Sequence, residues 1–151
     1  MAKETIKLKK YVDIIEQYDA ESAITPGHLI ELTSSDTVQP HSTAGGNNMH
    51  MFALEDEMQG NEIDDAYAAD DPVQCWVAVT GSIVNCILAD GENVAIGAFL
   101  ESAGDGTLQE HTVDSTGFYY PNQIVGQAVD AVDMSHSSTA DPDGRIQVRI
   151  I

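Results

Sequence analysis

The chain has 151 residues, with 6 Lys and Arg against 25 Asp and Glu, a formal net charge of −19, and only 6% aromatic residues. Every cation lies near an end: Lys3, Lys7, Lys9 and Lys10 at the start, Arg145 and Arg149 at the finish, so the acidic residues other than Glu4 occupy a body with no Lys or Arg. Such a body cannot recognise phosphates or nucleic acid by counterion release, and it cannot hold a P-loop or a lysine-linked cofactor.

The length fits one domain with a real core. Residues 1–20 differ in composition from the rest and read as an N-terminal arm, leaving 21–151 as the folded domain. Within the arm, Thr5-Ile6-Lys7-Leu8-Lys9 alternates polar and apolar, the period of a strand, and residues 11–15 continue it or take a helical turn. Pro26-Gly27 starts a tight turn before the strand Leu29-Ile30-Glu31-Leu32. Residues 39–48 read as a loop, and solvation there accounts for His41 and His50. Residues 49–54 read as a short strand, and 56–71 as an acidic loop or helical turn.

Residues 73–80 and 83–88, on either side of Gly81, read as a hairpin and as the best core candidate. That hairpin would set Cys75 directly opposite Cys86. A disulfide across one antiparallel pair is strained, so the expectation is two small buried apolar side chains. Strands follow at 94–101 and 124–132, and 145–150 alternates apolar with basic. The 24–29 and 94–100 segments echo one another, each turning on a glycine after an aliphatic residue, which reads as a recurrent turn and not as duplication. Short strands, regular turn signals and no long helical pattern give an all-β fold: a small barrel with an extended N-terminal arm and little helix.

Chemistry finds little foothold. Five histidines are scattered without His-x-x-x-His or Cys-x-x-Cys spacing, so no zinc site is expected. The acidic clusters lack EF-hand spacing, and 141–144, Asp-Pro-Asp-Gly, is turn chemistry. There is no Gly-x-Ser-x-Gly elbow and no dinucleotide fingerprint. The expectation is no enzyme, no cofactor and no metal. No apolar run is long enough to span a bilayer, and the first ten residues lack the apolar centre of a signal peptide, so synthesis in the cytoplasm is expected. The basic arm is the feature with a job to assign: docking on an acidic groove of a neighbouring copy or another partner.

The run Thr5-Ile-Lys-Leu-Lys-Lys, then 23–32, 53–56 with Gly60, 63–67, 95–108 and 126–130, resembles the head decoration (cement) proteins of tailed bacteriophages, the lambda-type family, as a set spread over most of the chain. The segments 115–121 and 135–139 have no counterpart in that pattern. The resemblance implies a β-tulip-like domain and a structural virion protein on the outer surface of the expanded capsid, bridging capsomers as trimers at three-fold or quasi-three-fold positions. It implies the major capsid protein and neighbouring copies of itself as partners, with no nucleic acid and no membrane. The residues expected at capsid or inter-subunit contacts are Thr5, Ile6, Lys7, Leu8, Lys9 and Lys10, with Ile24, Pro26, Gly27, His28 and Leu29 beside them. The rival readings are an acidic DNA-mimic inhibitor and a calcium-dependent protein, either a surface structural protein or a hydrolase.

Overall fold

The structure, a computed structural model, describes residues 4–9, 14–113, 121–136 and 144–151. Lys10, residues 11–13, 115–120 and 137–139, and the Asp-Pro-Asp of 141–143 lie outside them. The all-β expectation holds. A closed barrel is made by β2 (Ile14–Ala20), β3 (Leu29–Leu32), β4 (Thr37–Pro40), β5 (Met51–Ala53) and β6 (Pro72–Val77), in the order β2-β4-β3-β5-β6. A six-stranded sheet follows the order β1-β7-β13-β11-β9-β10, from β1 (Lys7–Lys9), β7 (Ile83–Ile87), β9 (Phe99–Ser102), β10 (Leu108–Glu110), β11 (Ile124–Ala128) and β13 (Arg145–Ile150). A two-stranded ribbon joins β8 (Asn93–Val94) to β12 (Val132–Asp133). The acidic 56–71 stretch contains one 3-10 turn, Glu57–Gln59.

The echo between 24–29 and 94–100 is one visible piece of a complete internal duplication. Gly27 and Gly97 both have positive φ, +95° and +89°, a conformation that a Cβ disfavours. Gly27 N–H donates to Ala53 O while Ala53 N–H donates to His28 O; Gly97 N–H donates to Ala128 O while Ala128 N–H donates to Ala98 O. From that anchor the register agrees strand by strand. Leu29 faces Phe52 as Phe99 faces Gln127; Leu32 faces Val38 as Ser102 faces Leu108; Ala53 faces Cys75 as Ala128 faces Val148; Asp19 faces Pro72 as Ile87 faces Arg145. The Ile24–Tyr67 bridge corresponds to the Val94–Val132 pair. The parallel β2/β4 pairing that closes the first barrel corresponds to the parallel bridge Leu88–Leu108, which brings the end of β7 against β10 and so curls the six-stranded sheet into a second barrel closed by that bridge alone. The sequence keeps little of this: Gly27/Gly97, Glu31/Glu101, Thr37/Thr107, Gln39/Gln109 and His41/His111 match at a constant spacing of seventy residues.

The duplication corrects two further expectations. Residues 73–80 and 83–88 do not form a hairpin: β6 closes the first barrel and β7 opens the second, and the chain between them crosses from one to the other. Cys75 therefore faces Glu16 and Ala53, Cys86 faces Ile146, and both thiols are free and buried. Local alternation identifies a strand without identifying its partner. The strand read over 94–101 is likewise divided, into β8 and β9, by the turn at Gly97.

Alternation along the strands sorts the cores. Ala20, Ile24, Ile30, Val38, Val73 and Cys75 fill the first barrel. The equivalent Leu88, Val94, Leu100, Leu108, Ile146 and Val148 fill the second. The opposite face of the first barrel carries the cross-strand row Leu29–Phe52–Trp76, fully buried, and it merges with the second core into one continuous cluster that includes Ile6. The halves therefore share an apolar seam. Burying side chains of this size is worth about 1.5–3 kcal/mol each.

Candidate functional site

The segments expected at outside contacts meet inside the molecule, at the seam. Residues 7–9 and 14–20, read as parts of an arm, are strands of the molecule's own sheets: β1 pairs with β7, Lys7 opposite Val84, and β2 pairs with β6 along its length. Thr5 Oγ1 donates to Glu55 Oε1 at 2.7 Å, and Ile6 N–H reaches the same carboxylate at 3.3–3.4 Å. Asn85 N–H donates to Ile6 O at 2.9 Å. Ile6, Ile24 and Leu29 are fully buried, and Pro26 and Gly27 are buried beside them. The side chains of Ile6, Ile24, Pro26 and Leu29 thus pack within the chain itself. Alternation made β1 legible as a strand, but nothing local distinguished a strand added to a neighbour from one added to the chain's own second half.

Arg145 ties the seam together. Nη1 donates to Pro26 O at 2.9 Å, while Nη2 donates to Ile63 O at 2.7 Å and to Asp64 Oδ1 at 3.2 Å. Gly27 is required for this contact, because a Cβ there would collide with Nη1. His28 lies beyond it, accepting Thr25 N–H at Nδ1 (3.2 Å). Burial lowers its pKa from 6.5 to about 4, against the opposing pull of Asp105 and with help from Arg145.

The duplicated polar sets lie elsewhere. In the first barrel Glu31 accepts from Gln39 Nε2 (2.8 Å) and Ser42 Oγ (2.6 Å), with His41 Nε2 at 3.7 Å. In the second, Glu101 accepts from Gln109 Nε2 (2.9 Å) and pairs with His111 Nδ1 (2.6 Å). Burial works to raise the Glu31 carboxyl, but the hydrogen bonds from Ser42 and Gln39 outweigh it and hold it below the ordinary value. The expectation that loop solvation accounts for His41 and His50 is corrected. His41 is buried, bonded through Nδ1 to Ser102 Oγ (2.7 Å) and through Nε2 to Asn47 O (2.8 Å). His50 Nε2 contacts Ile124 O at 3.0 Å. Both histidines fasten the 41–50 segment to the second barrel. Position alone, beside a glycine-rich loop, suggested solvation; the seventy-residue repeat of Glu, Gln and His was the signal for a built contact.

Burial pushes the Cys75 thiol up to about 12 and Cys86 upward as well, so neither is poised as a nucleophile. Among the described residues, no group of three His, Cys, Asp or Glu is placed to hold a metal ion. A cavity of about 440 Å³ opens on the first barrel, where Ile30, Leu32, Met49, Met51 and Val77 line it together with the polar Glu31, His41, Asn47, Asn48 and Asn122.

No family profile matches the chain, and no curated protein is detectably similar to it. Among solved structures it is similar to the N base of the head fiber protein gp8.5 of bacteriophage phi29, with a TM-score of 0.59 at 15% identity, over 93% of this chain and 95% of that one. At that identity the likeness is one of fold, and it spans both barrels.

Proposed function

We propose that the chain is a structural, non-enzymatic protein of a bacteriophage virion that binds the outer surface of the head and stabilises it by bridging capsomers, as trimers. The observation that carries this is the near end-to-end likeness to the base of a phage head fiber. The chain's own properties suit the role. A chain of net charge −19 stays soluble before assembly and is repelled by the packaged genome. Of the residues expected at contacts, the backbone of β1 remains well placed to meet the major capsid protein or a second copy, because β1 is an edge strand of the six-stranded sheet. Removing residues 2–10 is a poor test, since it also takes Ile6 out of the core.

The test is the mass of the purified protein by light scattering, followed by co-sedimentation with expanded capsid shells. Saturable binding at a stoichiometry matching three-fold sites supports the proposal. A protein that never sediments with shells, at any salt concentration, overturns it.

A further inference from the structure

The duplication shows what is missing from one half. In the second barrel, the edge of β7 that faces away from β13 is covered by β1, which pairs with Ile83 and Val84 and accepts the Asn85 N–H through Ile6 O. The equivalent edge belongs to β2, where Ile15, Glu16 and Gln17 stand at the positions of Ile83, Val84 and Asn85. There β4 pairs only with Asp19 and Ala20, so among the described residues no strand lies against the main chain of residues 14–18 on that side. The edge is also apolar and exposed: Ile14 is 41% and Ile15 42% exposed, and Ile15 extends the buried row that ends at Trp76. It carries no Pro, Lys or bulge, the usual devices that blunt a free edge.

We propose that the free edge of β2 over residues 14–18 receives an extended strand from a different protein, in which aliphatic residues alternate with lysine or arginine. β1 defines the kind of strand that fits, since Thr5-Ile6-Lys7-Leu8-Lys9 covers the matching edge. Charge strengthens the assignment. β7 has no ionised side chain, whereas β2 carries Glu16 and Asp19 and no cation. Another copy of this chain is the wrong donor, because its lysine-bearing strand is already placed on its own β7. Main-chain hydrogen bonds supply the affinity, and lysine against Glu16 supplies the register. This goes beyond the virion reading and does not depend on it.

The test titrates the full-length protein with the synthetic peptide Glu-Thr-Ile-Lys-Leu-Lys and follows backbone amide NMR shifts. The expected result is saturable shifts centred on residues 14–18, lost in Gln17→Pro, which removes an edge N–H while leaving the β6 ladder, and lost in Ile15→Lys. Circular dichroism confirms each fold, and Ile15→Lys stands alone if the proline variant does not fold. Absence of saturable shifts, shifts centred elsewhere, or equal binding by a folded Ile15→Lys variant overturns the proposal. So does sedimentation showing wild-type self-association that Gln17→Pro dissolves, for then a second copy is the occupant.

Discussion

The Thr5 hydroxyl donates to the Glu55 carboxylate at 2.7 Å, fifty residues further along the chain, and Glu55 is only 6% exposed. This contact fastens the N-terminal segment to the first barrel while the β1 ladder fastens it to the second. Glu55→Ala removes the acceptor for both Thr5 Oγ1 and the buried Ile6 N–H, so stability should fall by about 1–3 kcal/mol. Urea unfolding at neutral pH measures this, and a loss within error of zero would show that the segment is held by β7 alone.

The two equivalent glycines should respond unequally to the same change. Both Gly27→Ala and Gly97→Ala incur left-handed backbone strain of about 1–2 kcal/mol. At Gly97 the added Cβ finds only Gln127 Nε2, at 3.8 Å, but at Gly27 it meets the Arg145 guanidinium and Asn85 O. Gly27→Ala is therefore expected to lower the melting temperature clearly further than Gly97→Ala. Equal losses would mean that Arg145 yields without cost.

Stability should depend on pH through His28. Its folded pKa, about 4, lies below the unfolded value near 6.5, so between the two the unfolded state binds more protons. The contribution, on the order of 3 kcal/mol at most, is fully present above pH 6.5 and is lost as pH falls towards 4. His50, also lowered by burial, acts with the same sign. Denaturation of wild type and His28→Gln at closely spaced pH values should show a shallower fall for the variant between pH 6.5 and 5. Parallel curves would remove His28 from the account.

Neither thiol should react in the folded state. Cys75 and Cys86 are buried and lie in different sheets, with pKa values raised by burial. An aromatic disulfide reagent should label both only at the rate of global unfolding. Rapid labelling of either in buffer would indicate a local opening of its barrel.

Much of the local structure was legible in the sequence. Leu29–Leu32 is a strand where the Pro26-Gly27 turn announces one, Arg145–Ile150 is a strand at the residues that alternation marks, and the burial of Ile146, Val148 and Ile150 follows the apolar face of the latter. Pairing was not legible. Gly81 looks like a hairpin tip because its flanks are apolar on both sides, yet each flank is buried in a different barrel, and burial is all that the pattern reports. The same blindness hides that Ile6 and Leu29, far apart in the chain, share one buried seam. The repeat escaped notice because a barrel position constrains volume and turn geometry more than residue identity. Tyr67 and Val132, or Ala20 and Leu88, can occupy one site in the two copies.

That divergence has its own effect at Met51 and Gly126, equivalent positions in β5 and β11. Met51 helps fill the first barrel, whereas any Cβ at Gly126 would run into Arg149 O and Val148 Cγ1. A chain containing two similar folding units risks pairing a strand of one with the frame of the other, the characteristic failure of tandem repeats. Here β5 cannot take the place of β11 without driving a methionine into main chain, so the lack of a side chain at Gly126 guards against misassembly between the halves.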